Sequence, residues 1–242
     1  MIQFFTLQIL KFFDFFHQRK FINFLKRRGI HKLSVFFDIG AHKGESIDLF
    51  CGNFEVDKIY SFEASSITFN TLKLKAEKLR TKFKKTKIFL ENFALGSTNK
   101  KISIKHISES SSSTIREINK NSKYYKKKFF FLKKSNENSL YKEVEVEQIL
   151  LSDYVQKNNI EVIDFIKIDT EGYEFEVLKG AENVLKKTHF ILFEHHYDDM
   201  IMKNYYFSDI HEILKKNKFK RIYKSKMPFR KTFEYIYVNQ EF

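Results

Sequence analysis

Val35-Phe36-Phe37-Asp38-Ile39-Gly40-Ala41-His42-Lys43-Gly44-Glu45 decides how the rest of the chain is read. Its first five residues form an apolar, aromatic and β-branched run, as expected of a fully buried strand in a parallel sheet. The run breaks at Gly40 and Gly44, and a helical pattern follows through Glu45, Ile47, Leu49 and Phe50. Strand, glycine turn and helix make a nucleotide-binding geometry. Glycine lets the backbone approach a ligand, and the helix start offers N–H groups with positive potential. The pattern D-x-G-A-x-x-G differs from the G-x-G-x-x-G of dinucleotide binders and from the G-x-x-x-x-G-K-[ST] phosphate loop. Asp38 places negative charge where a diphosphate would be repelled. A cationic ligand, carrying an amino group or a sulfonium, would be favoured there. Alone, the stretch fits a plain strand-to-helix turn equally well.

Residues 58–63 supply the second half of the pattern. Lys58-Ile59-Tyr60-Ser61-Phe62-Glu63 is a short strand ending in a carboxylate. It lies about 20 residues past the turn, the spacing at which an acid accepts hydrogen bonds from ribose hydroxyls. A ribose-bearing ligand with no required diphosphate points to S-adenosylmethionine more than to a dinucleotide. A third strand, residues 87–92, brings Asn92 and Phe93 to a carboxyl end, where α/β sheets bind ligands. There Asn92 can read an adenine edge and Phe93 can flank its face, or the pair can be a turn residue beside a core ring.

A second buried strand, Val162-Ile163-Asp164-Phe165-Ile166-Lys167-Ile168, emerges into Asp169-Thr170-Glu171-Gly172. Carboxylates at such a place are costly unless used or paired. The next strand, Phe190-Ile191-Leu192-Phe193, delivers Glu194-His195-His196 to the same edge. If the strands are neighbours, Asp169, Glu194 and His195 converge, giving a general base, a metal site or a structural network. No tight ligand spacing insists on a metal, and none is expected. A helix over 208–216 and a closing hairpin from Phe219 to Val238 complete the chain.

Length and charge bound the rest. At 242 residues the chain fits one domain, with residues 1–30 as a helical cap segment and 31–242 as the main body. Lys and Arg number 44 against 30 Asp and Glu, for a net charge of +14. That balance suits nucleic acid, an anionic membrane or acidic glycans, but the lysines are dispersed, as in the usage of an AT-rich genome. The Phe-rich, basic residues 1–30 can lie on a membrane surface or pack on the domain. Residues 108–140 are an irregular insertion with a Ser110–Ser113 run and a basic-aromatic block over 124–131. It is a candidate acceptor-binding region; nucleic acid is not expected, because no RNA-binding motif accompanies it. The single cysteine, Cys51, excludes an intrachain disulfide. With no signal-peptide pattern or membrane span, a cytoplasmic location is expected, with peripheral contact at the inner face of a membrane as an option.

The two key stretches resemble the FkbM-type family of S-adenosylmethionine-dependent methyltransferases. The resemblance is carried by residues 164–181, DFIKIDTEGYEFEVLKGA, similar to that family's K-I-D-x-E-G-x-E-x-x-V-L-K-G-A. Asp38-x-Gly-Ala41-x-x-Gly44, Phe62-Glu63-Ala64, Ala94-Leu95-Gly96 and Leu192-Phe-Glu-His195 support it. His42 stands where the family often has Asn, and Ala64 where it often has Pro. The resemblance implies an α/β, Rossmann-like seven-stranded methyltransferase sheet, mostly parallel with one antiparallel strand and helices on both faces. It implies methyl transfer, commonly to a hydroxyl of a sugar or polyketide. Carried over, Asp38, Gly40, Ala41 and Gly44 line the methionine end and Glu63, with Ala64 beside it, holds the ribose. Asn92 and Phe93 lie by the adenine, and Asp169 lies near the transferring methyl. The expected partner is a small-molecule or glycan acceptor. The contrasting expectations are a non-catalytic module binding glycan or membrane, and, less favoured, a nicotinamide-dependent oxidoreductase.

Overall fold

The computed structural model describes residues 2–107, 113–126 and 141–242. Strands and helices are numbered in chain order. The apolar run around Phe36 is β1 (Lys32–Ile39), at the centre of a seven-stranded sheet. The order across it is β3 (Lys87–Glu91), β2 (Glu55–Phe62), β1, β8 (Ile163–Ile168), β9 (Thr188–His196), β11 (Thr232–Asn239) and β10 (Phe219–Lys226). From β3 to β9 every pair is parallel, whereas β11 is antiparallel to both β9 and β10. One strand therefore opposes the rest, as expected from the closing hairpin.

Successive side chains of a strand point to opposite faces, so β1 feeds two layers. Phe36 packs with Phe165, Leu192 and Ile236 in the layer that holds Ile47 and Phe50 of α2 (Glu45–Cys51) and Leu72 and Leu79 of α3 (Ser66–Lys82). Phe37 and Ile39 pack on the other face with Ile166, Ile168 and Phe193. That face is covered by α4 (Leu151–Lys157), α5 (Glu174–Lys179), α6 (Glu182–Leu185) and α7 (Phe207–Lys216). Coverage on both sides is why the central strands read as continuous apolar runs.

The N-terminal segment is one helix, α1 (Ile2–Arg27). Its Phe21, Ile22 and Leu25 are buried in the α2–α3 layer, and burial of three such side chains contributes on the order of 5 kcal/mol.

The alternating runs after β3 form strands, but not in the large sheet. β4 (Ala94–Leu95), β7 (Tyr141–Ile149), β5 (Lys100–Ile107) and β6 (Ser113–Thr114) make a separate four-stranded sheet in that order. The alternation of Lys101 and Ser103 with Ile102 and Ile104 marks a half-buried strand and does not say which sheet it joins. The small sheet meets the large domain at Gly180, where a Cβ would lie 1.8 Å from the Gly96 carbonyl oxygen. Two glycines of the resemblance motifs are thus one close contact.

Of the insertion over 108–140, residues 108–112 and 127–140 lie outside the described residues. These include Ser110 to Ser112 of the serine run and Lys127 to Phe131 of the basic-aromatic block. Residues 113–126 cross the loop that follows β9. The Asn119 N–H donates to the Met200 carbonyl at 2.8 Å, and the Met202 N–H to the Glu117 carbonyl at 2.9 Å. Tyr125 packs there with Met200 and Ile201. Among the described residues no helix is long and apolar enough to cross a membrane.

Candidate active site

The parallel strands end at one edge, and the candidate residues collect along it. Gly40 has a φ of 82°, and a Cβ on it would lie 1.9 Å from the Asp169 carbonyl oxygen. The turn after β1 therefore rests directly on the end of β8, and only glycine fits. The Gly40 and Ala41 N–H groups both donate to the Phe62 carbonyl at 2.9 Å, and Gly44 N–H closes the turn onto the Ala41 carbonyl at 2.8 Å. His42 has a φ of 48°, a left-handed conformation that Asn and His tolerate better than most residues. The departure from the family's Asn is thus conformationally conservative.

Glu63 is held by backbone. His42 N–H donates to its Oε2 and Ser65 N–H to its Oε1, both at 2.9 Å. A carboxylate has about four lone-pair sites, so two remain for further donors. Burial pushes this carboxyl up to about 7, with the Ser65 and His42 N–H groups opposing. The Asn92 amide nitrogen donates to the Glu63 carbonyl at 2.8 Å and the Ala64 carbonyl at 3.2 Å. Its donors serve the backbone, which leaves Oδ1 for other use. The Phe93 ring stands 5.7 Å from Phe62 and 5.9 Å from Tyr154.

Asp38 differs from Glu63 in lacking such support. It is fully buried, and neither carboxylate oxygen has a hydrogen-bond partner among the described residues. Lys167 Nζ stands 3.7 Å from its Oδ1. Burial pushes Asp38 up to about 6, with Lys167 opposing. An acid buried at a ligand edge with only the Ser46 hydroxyl and the Lys167 ammonium beside it, and neither in good hydrogen-bond geometry, calls for an explanation.

On the β8–β9 side the site is built from charged side chains. Lys167 Nζ lies 3.0 Å from Asp169 Oδ2. Burial works against the charge on Asp169, yet Lys167 holds its carboxyl below the usual range. Burial lowers and Asp169, Asp38 and Glu194 raise the Lys167 ammonium, with a net rise that keeps it charged. Glu194 moves the opposite way from Asp169: burial, then the charges of Asp169 and Glu234, push it well above the usual carboxylate range.

Asp169 and Glu194 come together as expected, but His195 does not join them. Phe193 and His195 point to the α7 face of β9, while Leu192, Glu194 and His196 point to the other. His195 is buried between Tyr197, Tyr205 and Phe207, with ring centroids at 4.7, 5.9 and 5.7 Å. Burial, then Lys203 and His196, lower its pKa to about 3, so it is neutral. The residue that shares the acidic face is His196. Its Nε2 lies 3.3 Å from Glu171 Oε2, and its Nδ1 lies 3.0 Å from Thr232 Oγ1 and 3.8 Å from Asp198 Oδ2. Burial opposes its charge, but Asp198, Glu171, Glu174 and Glu194 raise it to about 9.

The loop after β8 is organised by Glu174, which sequence reasoning passed over. Glu174 Oε1 accepts from Thr170 N–H at 3.2 Å and Gly172 N–H at 3.0 Å, while Oε2 accepts from Tyr205 at 2.6 Å. Thr114 donates to the Glu171 carbonyl at 2.9 Å, and Arg116 lies over the Tyr173 ring at 5.0 Å. Lys167, Glu174 and His196 all carried a readable signal, namely polar residues in or beside buried apolar runs. Among the described residues no group of three or more His, Cys, Asp or Glu is arranged to hold a metal ion.

The fold has solved relatives. An FkbM methyltransferase from Methylobacillus flagellatus KT is similar over 85% of this chain, with a TM-score of 0.55 and 14% identity. The chain spans 43% of that protein's length. The magnesium protoporphyrin IX methyltransferase of Synechocystis PCC 6803, solved with bound SAH, is similar over 98% of this chain and 88% of its own, with a TM-score of 0.53 and 10% identity. At such identities the likeness is one of fold. No protein of curated function matches the sequence. A sequence profile for the methyltransferase FkbM domain matches residues 38–221, from the Asp38 turn into β10. With most of its length matched, the chain belongs to the FkbM methyltransferase family.

Proposed function

We propose that the protein is an S-adenosylmethionine-dependent O-methyltransferase acting on a hydroxyl of a sugar, glycan or related compound. The observation that carries this reading is Asp38, buried at the end of β1 with both carboxylate oxygens lacking hydrogen-bond partners among the described residues. The donor set fits the cofactor. Asp38 would face its cationic methionine end beside the Gly40–Gly44 turn, and Glu63 would accept from the ribose hydroxyls with its two remaining lone-pair sites. Ala64, Asn92 and Phe93 would border the adenine. When bound, S-adenosylmethionine supplies an electrophilic methyl group on a sulfonium.

The chain's own residues do the rest. Lys167 keeps Asp169 ionised and aligned at the boundary between the donor and acceptor halves. Glu194 in its ionised form accepts the acceptor's hydroxyl proton, because a carboxylate with a raised pKa is a stronger base, so turnover rises with pH as Glu194 loses its own proton. His195 drops from this role, since it lies on the other face and is buried among aromatic rings. Much of the acceleration comes from alignment of the two substrates.

Calorimetry with S-adenosylmethionine and S-adenosylhomocysteine, with NAD as control, tests the cofactor. Micromolar binding of the first two is expected, weakened about tenfold or more in Asp38→Ala and Glu63→Ala, where 1.4 kcal/mol is tenfold. Affinity for the cationic donor falls as pH drops through about 6, because Asp38 becomes neutral. A folded protein that binds neither compound would instead favour a non-catalytic module.

A further inference from the structure

The middle of α1 and the tip of the β10–β11 hairpin meet beside the site. Phe13 stacks edge-on against Phe229 with centroids 5.0 Å apart, and Asp14 pairs with Arg230 at 2.9 Å. One turn further on, His17 pairs with buried Glu234 at 2.8 Å, and Glu234 is the register partner of Glu194. The helix therefore reaches the carboxyl edge at residues 13–17, and residues 2–12 extend it roughly 16 Å at 1.5 Å per residue.

Three aromatic side chains on this corner face solvent: Phe15 at 51%, Phe16 at 47% and Phe229 at 71% exposure. Phe229 also has a φ of 60°, a left-handed conformation that is costly for a bulky residue. On the helix and the hairpin themselves the exposed charge is positive, with acids such as Asp199 on the neighbouring loop after β9. No acid occurs in residues 15–37 or 213–233, which hold Arg19, Lys20, Lys226 and Lys231, all exposed. The flanking acids Asp14 and Glu234 are turned inward and paired with Arg230 and His17.

We propose that this corner docks on an anionic lipid bilayer, with Phe15, Phe16 and Phe229 entering the interface and the lysines and arginines meeting the headgroups. Exposed aromatic rings flanked by cationic side chains are the chemistry of interfacial binding. A second copy of the chain would bring two patches of the same charge together, which is unfavourable. RNA would need rings that form a stacking platform in a groove, whereas Phe229 projects from a hairpin tip. Docking turns the carboxyl edge toward the bilayer, so the hydroxyl compound it meets is one carried on a lipid. That last step rests on the methyl-transfer reading, while docking itself does not.

The test is flotation of the full chain with vesicles of phosphatidylcholine alone and of equimolar phosphatidylcholine and phosphatidylserine, without cofactor. Binding is expected to the anionic vesicles only and to weaken with salt. The Phe15→Ser/Phe16→Ser/Phe229→Ser variant changes largely exposed positions, so it should stay folded with a small drop in melting temperature from the lost Phe13–Phe229 contact and keep its S-adenosylmethionine affinity. It should bind anionic vesicles about tenfold or more weakly, equivalent to 1.4 kcal/mol or more. Absence of vesicle binding overturns the proposal, as does binding that the triple variant leaves unchanged. So does a dimer, or a complex with single-stranded RNA, that the triple variant dissolves while vesicles are ignored.

Discussion

The carboxyl edge of the large sheet has two halves built on different terms. At the ends of β1, β2 and β3, position is set by backbone: Gly40 against the Asp169 carbonyl, Ala41 on Phe62, and Glu63 between the His42 and Ser65 N–H groups. At the ends of β8, β9 and β11, position is set by charge, with Lys167 paired to Asp169, His196 to Glu171, and Glu194 beside them pushed toward its neutral form. A cradle of backbone holds a ligand of constant shape. A network of buried charges can shift protons, and that suits the half where, in the proposed reaction, a hydroxyl would lose one. The same division orders the ways to break the site.

The largest effect is expected from Glu194→Gln, which keeps the shape of the side chain and removes its ability to take up a proton. Turnover should fall by about 10²–10⁴-fold, the usual weight of a general base. Donor affinity by calorimetry should not move, because Glu194 lies outside the backbone cradle. Equal losses in turnover and donor affinity would mean that the two halves are one unit.

A second test reads the charge network through stability. His196 is raised to about 9 from 6.5, so its contribution is fully present below about 6.5 and is lost as pH rises through about 9. The difference in stability between wild type and His196→Gln should therefore be on the order of 2 kcal/mol near pH 6 and shrink above about pH 9. The comparison must be a difference, because Asp38 and Glu63 have raised pKa values and lose stability over the acid side of the same range. Denaturant titrations of both proteins across pH would show it, and a pH-independent difference would place His196 outside the network.

The backbone half was legible because it is local. Asp38, the glycine turn and Glu63 fall within one strand–helix–strand unit, and their residue types dictate φ and hydrogen bonding directly. The seven-stranded sheet was what the family resemblance implied, and the closing hairpin pointed to its one antiparallel strand; the strand order is read from the structure. The small sheet was not legible, because alternation in β5 and β7 reports burial of one face and not the identity of the partner strand. The charged half was legible only in outline. Glu194 and His195 are adjacent in sequence and so cannot share a face of β9, and the period of two points instead to His196. What sets the charge on Glu194 includes Glu234, 40 residues away and fixed by the β9–β11 register.

His195→Ala gives the smallest effect and the sharpest distinction. The side chain is walled by Tyr197, Tyr205 and Phe207, is neutral over the working range, and its Nδ1 has no hydrogen-bond partner among the described residues. Truncation leaves a cavity among rings, so the loss should appear in stability, about 1–3 kcal/mol by denaturant titration. Turnover of the folded protein should change by less than about threefold, far below the weight of an acid or base. Tyr205 links this wall to Glu174 and hence to the Asp169 loop, so any loss of turnover should be matched by His195→Phe, which fills the space without a proton-accepting nitrogen. If His195→Phe restored stability but turnover stayed low by a hundredfold, the imidazole itself would be needed. The charge-built half would then extend through the sheet to its other face.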